Sequence, residues 1–302
     1  MAMRLRSLIT KPVRWLLAEA GCDLVNLNAF HDMRVRIAEL TDKLTDMRSQ
    51  RDHWQAIAGG TIPAGYDLVN LNAFGHDPFR DIRLLNEKWN SSVLTFFDVG
   101  ANDGDTSLKA LKQFPQAQIF AFEPHPNTFL GLKDAAKDHS AIDPVQTALG
   151  AEAGDQVMYV YDYSDINSLV PNAPYSVRFG GKHSSSISVK CTTVDLFCAA
   201  RNIKKIDVLK IDTEGFDLEV LKGAVAMLKR GDISFVYFEF NDIQPDKNSA
   251  GGALAPIDEF LRRHQYRFIA SYNDYIVTDG DLFAVSNALY ALPKNSRVPE
   301  VR

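Results

Sequence analysis

From about Asp77 to the C-terminus, short apolar runs alternate with amphipathic stretches. Val93–Val99, Gln118–Glu123, Val157–Tyr161, Ser186–Thr193, Ile206–Ile211 and Ile233–Phe240 read as strands. Thr106–Phe114, Phe129–Lys137, Val194–Arg201, Leu218–Lys229 and Pro256–His264 read as helices. Tyr266–Ser271 and Leu282–Ser286 close the pattern as a hairpin-like edge addition. Strands spaced by helices make βαβ units, so the pattern predicts an α/β fold with a mainly parallel sheet and helices on both faces.

Upstream the period changes. Met33, Ile37, Leu40, Leu44, Met47, Arg51, Trp54 and Ala58 follow one another at alternating spacings of four and three, with polar residues between them. A 3.5-residue period makes a narrow apolar seam that wants an identical partner. The expectation is a coiled coil over residues 31–58, about 40 Å long, joining a dimer or trimer. Arg51 interrupts the seam, and a helix packed on its own domain is the alternative. Gly59-Gly60 and Pro63 stop the helix, which divides the chain into an N-terminal helical extension, 1–64, and a main domain, 65–302.

Two further features lie in this half. Leu5, Leu8, Ile9, Val13 and Leu16 share one helical face, with Arg4, Arg6, Lys11 and Arg14 largely opposite. That suits weak contact with a membrane surface. Pro12 equally suits the start of a packing or oligomer-forming helix. The run Asp23–Phe30 (DLVNLNAF) recurs as Asp67–Phe74, with His-Asp after each copy, directly in the first and past Gly75 in the second. Two copies are too few for a solenoid and read as a duplicated docking element.

Composition narrows the classes. A net charge of -5 argues against a nucleic-acid binder, whose footprint would be basic. Cys22, Cys191 and Cys198 are too few and too irregular for a disulfide framework or a zinc site. No run approaches the roughly 18 apolar residues that span a bilayer. A cytoplasmic protein, with or without membrane-surface contact, is expected.

The chemistry centres on Asp98-Val99-Gly100-Ala101-Asn102-Asp103-Gly104, which closes the first strand and opens a helix. Glycines there let backbone approach a ligand, and open α/β sheets bind ligands at the carboxyl ends of their strands. Glu123 ends the second strand, 19 residues after Gly104, the offset at which a carboxylate holds ribose hydroxyls. A dinucleotide fold would use G-x-G-x-x-G to seat a pyrophosphate. Here Asp98, Asp103 and Asp105 surround the turn, a poor setting for phosphate and a good one for the cationic, phosphate-free S-adenosylmethionine.

These residues resemble the FkbM family of methyltransferases. The resemblance covers roughly Asp67 to Leu292. It rests on the turn above, on Phe122-Glu123-Pro124-His125-Pro126 with Phe129 and Leu132, and on Thr147-Ala148-Leu149-Gly150. Thr193–Leu196, Asp207–Gly215, Leu218–Ala224 and Phe238-Glu239 complete it. It implies a class I Rossmann-like methyltransferase fold. It further implies O-methylation of a hydroxyl on a sugar, glycan or natural product. Cofactor contacts fall on Asp98, Gly100, Ala101, Asn102, Gly104, Glu123, Pro124 and Ala148.

Asp212, on the loop facing the cofactor's methyl end in such a fold, is the first candidate to orient or deprotonate the acceptor hydroxyl. Glu239 is the second, and Glu214 and Lys210 accompany them, Lys210 alternating with Asp212 along its strand. Glu214, beside Gly215 and ahead of a helix near Leu218, equally suits a helix cap. The three carboxylates also form an oxygen set of the kind that binds a divalent metal; the reading without metal is preferred. The polar segment between Tyr161 and Ile187, with Tyr163, Tyr175 and Phe179, suits a lid that stacks on sugar rings, and His183 within it is a weaker candidate base. A second loop, Asn241–Ala255, suits the acceptor side. The competing reading is a non-catalytic oligomeric scaffold that keeps the fold; the intact acidic motifs speak against it. An amino-methylating enzyme acting on bases would carry an Asn/Asp-Pro-Pro-aromatic motif where this chain has Asp212-Thr213-Glu214-Gly215.

Overall fold

The structure is a computed structural model that describes residues 74–162, 164–171, 182–241, 252–278 and 282–294. The basic N-terminus, the heptad segment and the duplicated element up to Ala73 lie outside the described residues, as do Tyr163, Tyr175, Phe179 and most of the second loop.

In chain order the elements are α1 (Pro78–Lys88), β1 (Thr95–Val99), α2 (Asp105–Gln113), β2 (Gln118–Phe122), α3 (Pro126–Ala136), β3 (Ile142–Val145), β4 (Ala148–Leu149) and β5 (Gly154–Tyr161). Then follow β6 (His183–Thr192), α4 (Val194–Arg201), β7 (Ile206–Ile211), α5 (Asp217–Lys222), α6 (Val225–Arg230), β8 (Ile233–Phe240), α7 (Leu254–Arg263), β9 (Arg267–Thr278) and β10 (Leu282–Ala291).

A seven-stranded sheet runs β3-β2-β1-β7-β8-β10-β9. The strands from β3 to β8 are parallel, and β10 enters antiparallel between β8 and β9. The sheet is therefore mixed and mainly parallel, with helices on both faces, a Rossmann-like arrangement. The edge hairpin expected from the sequence is present, with β10 rather than β9 joining the parallel core.

Alternation along the strands feeds two cores. Phe97, Val99, Leu209, Ile211, Val236 and Phe238 face α4 to α7, where Phe197, Leu221, Met227 and Ile257 meet them. Phe96, Ile119, Val208 and Phe235 face α1 to α3, against Phe79, Ile82, Ala110 and Leu132. Fully buried side chains of this size contribute roughly 1.5–3 kcal/mol each, so the central strands are held rigidly from both sides.

The structure departs from the sequence reading in several places, the unexpected strands β3 and β4 among them. Helix α1 was not expected, yet Asp77 caps it by accepting the N–H groups of Phe79 and Arg80, and Pro78 suits its first turn. The single helix expected over Leu218–Lys229 is two short ones. Gly223 breaks it: a β-carbon there would stand 2.0 Å from the Gly150 carbonyl oxygen, and Asp195 accepts the Ala226 and Met227 N–H groups that start α6. Finally, β5 and β6 pair antiparallel with β4 alongside in a separate three-stranded sheet, so both stand outside the main sheet.

Candidate active site

The strand order reverses between β1 and β7, and a crevice opens there beyond the carboxyl ends of the strands. The turn after β1 is tight. The Gly100 and Ala101 N–H groups both donate to the Phe122 carbonyl, at 3.1 and 2.9 Å. Gly100, Asn102 and Gly104 all have positive φ, at 74°, 48° and 98°. Glycine and asparagine are the residues that tolerate this region, which is why the motif reads as it does.

Glu123 faces this turn from the end of β2. One carboxylate oxygen accepts the Asn102 N–H at 3.2 Å and the other the His125 N–H at 2.8 Å. Burial pushes its pKa up to about 7, against the opposing pull of those two N–H groups and of Lys210. The remaining lone pairs stay free to accept further hydrogen bonds.

Behind the turn lies a buried ion pair. Asp98 and Lys210 are register partners on β1 and β7, and their side chains meet at 2.8 Å. Asp98 also accepts the Ser107 hydroxyl at 2.6 Å, and Lys210 donates to the Gly100 carbonyl at 3.1 Å. Burial alone would lower the lysine pKa, but Asp98 and Asp212 outweigh it and hold the ammonium above its ordinary value. The pair therefore fixes the turn.

The crevice forms a cavity of about 380 Å³. Gly100, Ala101, Asn102, Glu123, Pro124 and Ala148 line it, together with Lys210, Asp212 and Glu214. Asp98 and Gly104, expected to touch a cofactor, are not among the residues that line it. Asp98 is fully buried beneath the turn, and Gly104 starts α2 against Leu132, where a β-carbon would come within 3.0 Å. Phe122, Leu149, Met158 and Phe216 give the cavity an apolar side.

At its far end Asp212, Glu214 and Glu239 each bring a carboxylate oxygen to within 4.8 Å of the others. Glu239 joins this cluster without lining the cavity itself. Lys210 stands 3.5 Å from Asp212. Glu214 is not the helix cap the sequence also allowed. Its φ of 54° turns it away from α5, whose N-cap is Phe216. Burial, and then the neighbouring Asp212, Asp217 and Asp165, raise its pKa well above the carboxylate range.

The segment after β5 supplies a roof. Asp165 accepts the Asn102 side-chain N–H at 2.6 Å, and the Ser168 hydroxyl donates to the Glu214 carbonyl at 2.8 Å. Ile166 packs with Tyr161 and Val285. Three residues thus gain contacts that sequence reasoning did not give them: Asp165 and Ser168, seen only as part of a polar loop, and Asp217. Asp217 is buried, accepts the Thr213 hydroxyl at 3.0 Å, and burial next to Asp212 pushes its pKa up to about 7. The signal for it was an aspartate on the first turn of a helix that follows two other acids. His183 is exposed, bonds Ser186 at 3.0 Å, and does not line the cavity.

Comparison with known proteins gives the following. The family model for the methyltransferase FkbM domain matches residues 98–268. The chain is 29% identical over 141 residues to Methyltransferase 1 of Beauveria bassiana, covering 42% of this chain and 56% of that protein. It is 30% identical over 159 residues to the hexuronic acid methyltransferase AglP of Haloferax volcanii, covering 52% and 59%. It is 29% identical over 197 residues to the 31-O-demethyl-FK506 methyltransferase FkbM of Streptomyces tacrolimicus, covering 58% and 73%. The chain spans little more than half the length of the first two.

Proposed function

Because the chain belongs to the FkbM methyltransferase family, we propose that it transfers a methyl group from S-adenosylmethionine to a hydroxyl oxygen of a sugar or related natural product. One observation carries this reading: a cavity at the carboxyl ends of the strands is lined by carboxylates, and two of them, Asp212 and Glu214, cluster with Glu239. Two of the relatives, a hexuronic acid methyltransferase and a 31-O-demethyl-FK506 methyltransferase, support the acceptor class.

The residues fit such a cofactor. Glu123, with each oxygen already steadied by a backbone N–H, accepts the two ribose hydroxyls. Pro124, Ala148, Leu149 and Phe216 line the cavity and would offer the base an apolar surface. The bare backbone at Gly100, with Ala101 and Asn102, takes the amino-acid end. Asp98 and Gly104 act by holding that turn in shape. When bound, the cofactor supplies an electrophilic methyl carbon whose bond to sulfur breaks, the electron pair staying on sulfur, as the carbon–oxygen bond forms.

Asp212 is assigned to orient the acceptor hydroxyl and take its proton, with Glu239 second and Glu214 as a further proton acceptor in the cluster. Lys210 holds Asp212 and the turn at fixed separation, which supplies alignment. A divalent cation would fit the spacing of the three carboxylates. We read the trio without one, because acid groups beside a departing proton already serve it. Residues 31–58 are assigned to join copies of the chain through their heptad seam.

The test is incubation with methyl-labelled cofactor and glycans extracted from the cell that makes the protein. Label is expected in carbohydrate, on an ether oxygen. Failure to bind S-adenosylhomocysteine in calorimetry would overturn the reading in favour of a scaffold.

A further inference from the structure

We infer that the chain binds a small diphosphate-bearing ligand at the end of its sheet opposite the crevice. The inference goes beyond the methyl-transfer reading and does not depend on it. It is carried by a second cavity, of about 500 Å³, at the amino ends of β7 and β8. Basic side chains from four separate stretches of chain converge there. They are Lys205 ahead of β7, Lys229 and Arg230 at the end of α6, Arg263 and His264 at the end of α7, and Lys294 beyond β10. The two ends of one sheet therefore differ in charge, because Glu123, Asp165, Asp212 and Glu214 gather at the other.

Two ordinary roles account for only part of this cluster. Basic residues in the last turn of a helix offset the negative end of its dipole, which covers Lys229, Arg230 and Arg263. Lys205 and Lys294 lie on no helix. The second role is ion pairing. Lys205 pairs with Asp207, Arg230 with Asp232 at 2.6 Å, and Arg263 with Glu259. These three cations are half exposed or more, and pairs of that kind hold a side chain only weakly. Asp207 is itself buried and already accepts the Leu94 and Thr95 N–H groups. None of the three acids lines the cavity. Lys229 and Lys294 have no carboxylate partner among the described residues. Lys294 is steadied instead by the Trp89 carbonyl at 3.2 Å, with its ammonium 5.9 Å from the centre of the Trp89 ring.

The chemistry of the donors selects the ligand. Guanidinium groups meet phosphate oxygens through paired N–H donors, and ammonium groups meet them as point charges. A lone carboxylate leaves most of these donors unanswered, whereas a diphosphate offers several acceptor oxygens and more than one negative charge in a small volume. The cavity is of the size that holds small molecules. Lining a cavity from four stretches of chain, rather than one helix face, the cations suit a discrete ligand better than a membrane plane.

Inorganic pyrophosphate, titrated calorimetrically into the full chain, is the probe. At low salt it is expected to bind with a dissociation constant of about 1 mM or less, weakening as salt rises. Sulfate at equal ionic strength is expected to bind about tenfold more weakly. The double variant Lys229→Gln/Lys294→Gln, both changes on exposed side chains, is expected to lose about tenfold in pyrophosphate affinity. Its thermal midpoint and its affinity for S-adenosylhomocysteine should match the wild type. No pyrophosphate binding, binding no tighter than sulfate, or undiminished binding by the double variant overturns the inference. Sedimentation with phosphatidylglycerol vesicles separates a soluble ligand from a lipid surface. Wild type and double variant are expected to sediment alike. Vesicle binding that the double variant abolishes assigns these cations to a membrane and overturns the small-ligand site. A wild type that takes pyrophosphate but not S-adenosylhomocysteine refutes the cofactor reading and leaves this inference standing.

Discussion

A β-carbon placed on Gly100 would stand 1.8 Å from the carbonyl oxygen of Asp212 and 2.9 Å from its carbonyl carbon. The turn after β1 and the loop after β7 therefore meet backbone to backbone. The Asp212 N–H seals the contact by donating to the Val99 carbonyl at 3.0 Å. No side chain can swing aside to relieve a clash there, and the φ of 74° adds strain for any other residue. Gly100→Ala is expected to cost about 3 kcal/mol or more and to abolish cofactor binding. Denaturant midpoints and calorimetry check it; wild-type values in both would mean that the two loops do not pack as described.

Glu123 should make cofactor affinity depend on pH. Burial pushes its pKa up to about 7, so the carboxyl is largely protonated at pH 6 and largely ionised at pH 8. The ionised form accepts two ribose hydroxyls without giving up a lone pair to a proton. Affinity for S-adenosylhomocysteine is therefore expected to rise severalfold from pH 6 to pH 8 and then level off. Glu123→Gln should bind more weakly and lose the slope. An equally pH-dependent variant would assign the titration to another group.

The residues of this site also show how far the sequence could be read. Gly100, Glu123 and Asp212 were legible because each follows a strand whose apolar period is clear, and strand ends fix position. Helix breaks such as Gly223 were not, because the cause is a carbonyl oxygen contributed by Gly150, far away in the chain. That Asp98 lies buried beneath the turn, against Lys210, is not legible locally, because this pairing emerges only once β1 and β7 are side by side. The roof contacts of Asp165 and Ser168 join residues 63 and 46 positions apart, and no local pattern encodes such a pairing.

Asp217 should make the fold less stable as pH rises. Its folded pKa is raised to about 7 from an ordinary 3.8, so the native state binds its proton more tightly than the unfolded chain. The stability it adds is complete below about pH 4, is lost progressively toward pH 7, and is flat beyond. Asp217→Asn keeps an oxygen for the Thr213 hydroxyl and removes the titration. At pH 8 the variant is expected to be more stable than the wild type by roughly 4 kcal/mol at most, and near equal at pH 4. Parallel stability profiles for the two proteins would refute the assignment.

The bond between Asn102 and Asp165 ties together two residues that line the cavity from distant parts of the chain, so it should slow exchange of whatever the cavity holds. A hydrogen bond to a charged group contributes about 1.5 kcal/mol, roughly a tenfold change in rate. Asp165→Ala is expected to speed dissociation of S-adenosylhomocysteine by about that factor, with a smaller change in the association rate. Stopped-flow displacement measures both. Unchanged dissociation would show that the roof opens without breaking this contact.

Asp212 separates chemistry from binding most cleanly. Its carboxylate is the most accessible member of the Lys210 cluster, with the side chain 39% exposed against 5% for Lys210 and none for Asp98. Asp212→Asn preserves shape, and the Asp98–Lys210 pair keeps the turn anchored, so cofactor affinity should change less than threefold. Turnover should fall by a factor of about 100 or more, the scale on which a positioned base contributes. If Glu239 takes the proton instead, Asp212→Asn retains most of its turnover and Glu239→Gln loses it. Losing cofactor binding along with turnover would assign Asp212 a structural part, fixing the loop that Gly100 packs against. Calorimetry and initial rates on the same preparations decide among the three.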